Sequence, residues 1–415
     1  MGSEPDQLGW LKLVLAPDLG PGTLDGLDLA PDDYPRLPDC SDRDLGRIGL
    51  SREFIRAIKH PDQARLDAAL AWLDHPSHHL ISRNDEYYPP LLRRIADAPL
   101  ALFVNGSPEW CLRPQLAIVG SRNATPGGLA IAREFAEDLS RAGMVITSGL
   151  ALGVDGVAHR AAMDAGGITL AVGGTGPDQV YPARHRDLAR RIVDNGAVIS
   201  SFAPGVGPRA GHFPARNRII SGMSAGVLVI EAGIRSGSLI TARLAGEQGR
   251  EVFAVPGSIR NPMARGCHRL IRQGARLVES PDEIVDELKP LIAELAGELR
   301  GLLAPREASS SGADASGAAI ESDASDPQVE TLLAAVGYDP TSVDEIMART
   351  ELTTQAVSSM LLELELQGRV AALGGGRYSR TGQDSESSRP ESSRASNRQS
   401  NRQSNRESKR GNRTE

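Results

Sequence analysis

The chain holds 415 residues, with 46 Lys and Arg against 53 Asp and Glu, a net charge of −7. Only 4 % of it is aromatic while glycine reaches 44 residues, a composition suited to tight turns close to a ligand. Its three scattered cysteines (Cys40, Cys111, Cys267) lack C-x-x-C spacing, which argues against a disulfide framework or a zinc site, and no run approaches the roughly 18 apolar residues of a bilayer span. Residues 1–10 carry acids and no signal-peptide core, so a soluble, cytoplasmic protein of two or three domains with no membrane association is expected.

Residues 1–80 are acidic and helix-like, and are predicted to form a helical N-terminal domain of helix-hairpin-helix or SAM-like type. Within it, Leu19-Gly20-Pro21-Gly22-Thr23-Leu24 is either a hairpin presenting backbone N–H groups to DNA phosphate or a plain helix connector. The surrounding acids repel phosphate and favour the connector. Residues 81–300 are predicted to form one α/β domain. Short β-branched runs at 116–119, 145–147, 169–172, 198–200, 227–230 and 252–255 alternate with helical stretches such as 129–141 and 239–249. Continuous apolar strands separated by helices mean a parallel sheet covered on both faces. That is a doubly wound, Rossmann-like fold, whose ligands sit at the carboxyl ends of its strands. Residues 301–326, rich in Ala, Ser, Gly and Asp, read as a flexible linker. Residues 327–379 offer three helices, the last at 354–367 with Val357, Leu361 and Leu364, then a hairpin about Gly374-Gly375-Gly376. This order matches a winged helix. Residues 380–415 lack the apolar content to fold.

Charge is spread unevenly. Residues 209–276 hold eleven arginines, no lysine and three acids, an excess of eight positive charges in an acidic chain. The planar fork of arginine binds phosphate oxygens in pairs and stacks on bases, so this stretch is predicted to hold a polyanion. Its densest element is Phe213-Pro214-Ala215-Arg216-Asn217-Arg218, at the start of an apolar helix whose dipole also favours an anion. Ile118-Val119-Gly120-Ser121-Arg122 ends the first central strand. There, Gly120 would let a ligand approach the backbone, the next helix would aim its N–H groups at the same spot, and Arg122 would supply charge. The alternative is a tight turn with a surface arginine.

Asp155 either caps its helix or acts as an acid with His159, one turn further on. The Gly173-Gly174-Thr175-Gly176 loop offers backbone donors to a phosphate, or is simply how such a sheet turns. Glu231, ending a buried strand, reads as orienting an arginine or capping the helix at Ser238 rather than as a catalytic carboxylate. No Walker A, H-E-x-x-H or nucleophile-elbow motif occurs, which favours binding over catalysis, with no metal and no cofactor expected.

Together these motifs resemble the DNA-processing protein A family, DprA/Smf. The likeness runs from about Tyr88 to Leu288 through Gly120-Ser121-Arg122, Ser148-Gly149-Leu150-Ala151 with Gly153-Val154-Asp155, and Tyr181-Pro182. It continues through Phe213-Pro214-Ala215-Arg216-Asn217-Arg218, Glu231-Ala232, Gly237-Ser238-Leu239-Ile240-Thr241-Ala242, Val255-Pro256-Gly257 and Gly266-Cys267-His268. The resemblance implies a non-enzymatic protein that binds single-stranded DNA, protects it from nucleases and loads RecA onto it during natural transformation. It also implies a homodimer of the Rossmann-like domain. The family's basic pocket carries over to Gly120, Ser121, Arg122, Arg216, Asn217 and Arg218, with Arg186 as the basic residue after Tyr181-Pro182. The part carrying the family's dimer contact matches Leu270, Ile271 and Leu277, for which the alternative is ordinary core packing of one helix and one strand. Two departures stand out: His185 replaces a frequent asparagine, and Ser201 a glutamate common after Ile199-Ser200. Tyr181, Phe202 and Phe213 are the candidate stacking partners for bases. The rival expectation is a nucleotide-binding enzyme of the phosphoribohydrolase-like Rossmann class, but the glutamate spacing of that class is missing. A transcription regulator led by the winged helix is a third, weakened by a stretch at 354–367 without a basic residue.

Overall fold

The structure, a computed structural model, describes residues 4–16, 24, 27, 29–303, 327–337, 341–350, 352–366, 369–373 and 377–380. All of the Gly-Pro-Gly phrase except Leu24, the linker at 304–326, the Gly374–Gly376 turn and the tail from 381 onward lie outside the described residues. The chain divides into two compact units, residues 1–306 and 307–415.

In the first unit nine strands form one sheet. They are β1 (His78–Ser82), β2 (Ala101–Gly106), β3 (Gln115–Gly120), β4 (Val145–Ser148) and β5 (Thr169–Val172). The chain continues with β6 (Ala197–Ser200), β7 (Gly226–Ile230), β8 (Glu251–Ala254) and β9 (Arg276–Leu277). Their spatial order is β1-β2-β6-β5-β4-β3-β7-β8-β9. The stretch from β6 to β9 is parallel, whereas β1 and β2 run antiparallel at one side. The parallel strands carry the six apolar runs anticipated from the sequence. The two antiparallel ones were not anticipated, and β1 moves the start of the sheet domain back to His78.

Alternation along the strands sorts their side chains into two layers. Ala117 and Val119 of β3, with Val227 and Val229 of β7, pack against Ile219, Ile220 and Met223 of α9 (His212–Met223) and Ala242 and Ala245 of α10 (Ser238–Glu247). Leu116, Ile118, Leu228 and Ile230 face the other way, onto α6 (Pro126–Arg141) and α7 (Val154–Asp164). Helix α6 shows why such a segment docks there. Thr125 caps it by accepting from Gly128 N at 3.1 Å, Pro126 suits the first turn, and Ala132, Phe135, Ala136 and Leu139 make one buried stripe. Fully burying side chains of Phe or Leu size contributes about 1.5–3 kcal/mol each.

The remaining helices of this unit close the layers. α8 (Arg186–Asn195) follows β5, α11 (Arg265–Arg272) follows β8, and α12 (Pro281–Leu303) runs on past the expected linker start at 301. Arg94, just after the short α5 (Pro90–Arg93), pins α12 through Glu294 at 3.2 Å and Glu298 at 2.6 Å. N-terminal to the sheet come α1 (Glu4–Leu15), α2 (Asp42–Arg47), α3 (Arg52–Lys59) and α4 (Gln63–Leu73). Leu11 and Leu15 of α1 and Leu66 and Ala69 of α4 bury themselves with Phe103 of β2, so these helices share a core with the sheet. No helix among the described residues is long and apolar enough to cross a membrane.

The second unit contains α13 (Pro327–Val336), β10 (Thr341–Ser342), α14 (Val343–Thr350), α15 (Thr354–Leu366), β11 (Val370–Leu373) and β12 (Arg377–Arg380). Val357, Leu361 and Leu364, the anticipated stripe of the third helix, are buried with Leu332, Ile346 and Tyr378. The strands pair antiparallel in the order β10-β12-β11, giving three helices with a small sheet, as in a winged helix.

Candidate functional site

The strand order fixes where a ligand can enter. From β3 the chain steps through β4, β5 and β6 in one direction, then returns to place β7 on the other side of β3. At such a switch point the loops leaving the two central strands diverge and leave a crevice at the carboxyl ends. Here it is a cleft of about 530 Å³. Its walls are the end of β3, the first turn of α7, one face of α9, and the loop from Gly233 to Ser238 with Met263 behind it.

Helix α9 contributes Phe213, Arg216, Asn217 and Ile220, spaced three, four and seven apart, so they form one stripe along the cleft. Arg218 is two residues from Arg216 and therefore lies on another side of the helix. It pairs with Asp97 at 2.7 Å and does not line the cleft. Arg186 is exposed at the first position of α8 and is not a lining residue either. The cleft's arginines are Arg122, Arg216 and Arg235.

Arg216 is the unusual member. It is 5 % exposed, and its Nη1 donates to the Val172 carbonyl at 3.2 Å while its Nε has no hydrogen-bond partner. Burial pulls its pKa down to about 10; nearby Asp155 opposes that and Arg122 reinforces it, so the guanidinium stays charged at neutral pH. Leaving a buried donor unpaired costs about 1–3 kcal/mol. Gly149 makes room for this side chain: a Cβ there would fall on the Arg216 guanidinium.

Asp155 neither caps α7 nor acts with His159. Its Oδ2 accepts from Gly149 N at 3.1 Å and Ala151 N at 3.4 Å, holding the turn after β4 beside Arg216. Burial raises its pKa above the usual carboxylate range, against the pull of Arg216 and those N–H groups. His159 is buried against Thr169, Nδ1 to Oγ1 2.7 Å, and burial drives its pKa down to about 3, so it is neutral.

The expectation for Arg122 changes as well. Gly120 is required by packing, since a Cβ would strike the Ile230 carbonyl and Val154, rather than by a ligand. Ser121 lines the cleft, but its N–H donates to the Glu231 carbonyl at 2.7 Å, and Thr125 N donates to Glu231 Oε2 at 2.7 Å. These two N–H groups of the turn, with Gly128 N on the Thr125 cap, are spent inside the protein. Arg122 itself is exposed, its guanidinium 5.9 Å from the centre of the Phe213 ring. Glu231 orients no arginine and does not cap α10. It ties the start of α6 to the loop before α11 by accepting from Thr125 and, at 2.9 Å, from Asn261 Nδ2. The loop at Gly173–Gly176 is likewise committed: Gly173 N donates to Ile199 O and Gly176 N to Val206 O.

Of the candidate stacking residues, Tyr181 is 47 % exposed with its ring centre 5.5 Å from that of Phe213. Phe202 stacks instead on His212. Arg235 was missed in the sequence. The signal was there, an arginine in a glycine-rich loop after an apolar strand, but placing that strand beside β3 needs the sheet order. The expected dimer residues separate too. Leu270 is 8 % exposed within the core and Ile271 packs against it, whereas Leu277 on β9 is 42 % exposed. Ile234 and Ile259 are also exposed, around a depression lined by Arg265, His268, Arg269 and Arg272.

Comparison with known proteins agrees with this architecture. Residues 79–289 match the model of the DNA recombination-mediator protein A family, and residues 316–376 match the DprA winged helix domain. Protein Smf of Escherichia coli is 45 % identical over 334 residues, covering 80 % of this chain and 85 % of that protein. DNA processing protein DprA of Streptococcus pneumoniae is 45 % identical over 205 residues, covering 49 % of this chain and 72 % of its own. The X-ray structure of DprA from Streptococcus pneumoniae superimposes with a TM-score of 0.59 at 37 % identity, over 69 % of this chain and 99 % of that one. With a doubly wound sheet, an arginine-lined switch-point cleft and a winged helix in one chain, the protein belongs to the DNA recombination-mediator protein A (DprA/Smf) family.

Proposed function

We propose that the chain binds single-stranded DNA in the switch-point cleft, protects it, and passes it to RecA during DNA uptake, acting in the cytoplasm as a homodimer and without catalysis. The observation that carries the reading is the convergence of Arg122, Arg216 and Arg235 on one cleft that also presents Phe213. Guanidinium groups track a phosphate backbone and an aromatic ring accepts any base, which is how single strands are held with little sequence readout. Helix α15, in the recognition position of the winged helix, carries no basic residue with which to engage duplex phosphates or bases. Binding without chemistry is favoured by the two carboxylates beside the cleft. Asp155 is committed to Gly149, Ala151 and Arg216, and Glu231 to Thr125 and Asn261, so neither is free to serve as a base.

Family membership supports RecA loading and the dimer, for which exposed Leu277 offers an apolar contact. The deciding experiment compares oligo-dT with duplex of equal length. Oligo-dT should bind far better, and its affinity should fall on the order of tenfold between 50 and 200 mM salt. Equal affinity for duplex, or a flat salt response, would exclude the reading. Incubation with adenosine monophosphate should release no adenine.

A further inference from the structure

We propose that free nucleoside 5′-monophosphates bind in the switch-point cleft and compete there with the strand, so that the products of strand degradation tune its occupancy. The inference rests on the cleft being the strand's seat. The volume of about 530 Å³ lies within the range of small-molecule sites, roughly 300–1,000 Å³, and is ample for a single nucleotide. What the cleft offers is the complement of one nucleotide. Arg216 supplies a largely buried, charged guanidinium on the cleft wall, a fixed positive charge for a phosphate. Phe213 stands one helical turn away on the same face of α9, with Arg122 over its ring and Tyr181 beside it, a surface on which a base can stack. Phosphate and base of a single nucleotide span a comparable separation through the sugar. Nothing in this constellation requires a flanking nucleotide, so a strand and a free monophosphate satisfy the same groups.

The test uses the full chain, fluorescent oligo-dT, and thymidine monophosphate, thymidine and inorganic phosphate as competitors at matched ionic strength. With an affinity on the order of 1 mM, thymidine monophosphate at about twice that concentration should weaken apparent oligo-dT binding about threefold. Thymidine and phosphate should each do less. In direct calorimetry, Arg216→Lys and Phe213→Leu should each abolish the thymidine monophosphate signal. Phe213 is only half-buried, so its variant remains informative should Arg216→Lys fail to fold. If oligo-dT binds and cleft variants weaken it, yet the monophosphate competes no better than phosphate, the inference is wrong and the strand-binding reading stands. Unchanged monophosphate binding to both variants also overturns it, by placing the ligand elsewhere. Failure of oligo-dT itself to bind removes both.

Discussion

In the cleft, Arg216 is 5 % exposed, wedged beside Asp155 and Gly149 with one donor left over. On the outer face, Arg265, Arg269 and Arg272 stand in solvent around Ile234 and Ile259. Arg216 and this outer set come from the same arginine-rich stretch and carry the same kind of charge. They differ in preorganisation. The cleft arginine has already lost its hydration and its rotamer freedom on folding, so a phosphate gains a charged hydrogen bond at little further entropic cost. Those outside hold water and move, and a contact with them is screened and weak.

The contrast breaks most sharply at Arg216. Arg216→Ala removes a buried, charge-assisted donor and should lower oligo-dT affinity by about 1.5–3 kcal/mol, roughly tenfold to a hundredfold, as read by fluorescence anisotropy on protein shown to be folded by circular dichroism. It also strips Asp155 of its neighbouring cation, so thermal stability should fall. A second effect belongs to the layer beneath the cleft. His159 is held at a pKa of about 3 against an ordinary 6.5, so below about pH 6.5 the unfolded chain takes up a proton that the folded chain refuses. Stability should therefore be full above pH 6.5 and fall as pH drops towards 3, at up to about 1.4 kcal/mol per pH unit. Chemical denaturation of His159→Asn, which cannot titrate there, should show that part of the slope gone.

Smaller effects sharpen the comparison. Arg122→Ala should weaken oligo-dT binding by only about threefold to tenfold, with a salt dependence shallower by about 0.7 in log–log slope, since an exposed guanidinium contributes chiefly through counterion release. Arg265→Ala, in the outer set, should cost well under about 1 kcal/mol. Titrations of both variants across salt would check the order Arg216, Arg122, Arg265.

Six of the seven parallel strands were legible in the sequence because burial leaves unbroken apolar runs such as 116–119 and 227–230, whereas two-residue β9 was too short to show. β1 was not, since two histidines and a serine in five residues mask a strand whose partner is set by distant pairing. The arginine-rich motif on α9 was visible, but only helical geometry separates Arg216, on the cleft stripe, from Arg218, tied to Asp97. At Arg122 the sequence could not show that Ser121 N and Thr125 N nearby are spent on Glu231. Arg235 was passed over because strand order, which brings its loop opposite β3, is a tertiary property. Leu270 looked like surface for the same reason that many amphipathic positions do: one helix cannot show what packs on it.

The central claim is that a positioned arginine, and not the sum of positive charge, holds the strand. Gly149→Ala tests it most directly, because it changes no charge and its Cβ would meet the Arg216 guanidinium first and the Asp155 carboxylate beside it. Oligo-dT should bind the folded Gly149→Ala protein about tenfold more weakly than wild type, with the salt dependence nearly intact. Wild-type affinity in that variant, with the fold retained, would contradict the claim and leave diffuse charge as the source of binding.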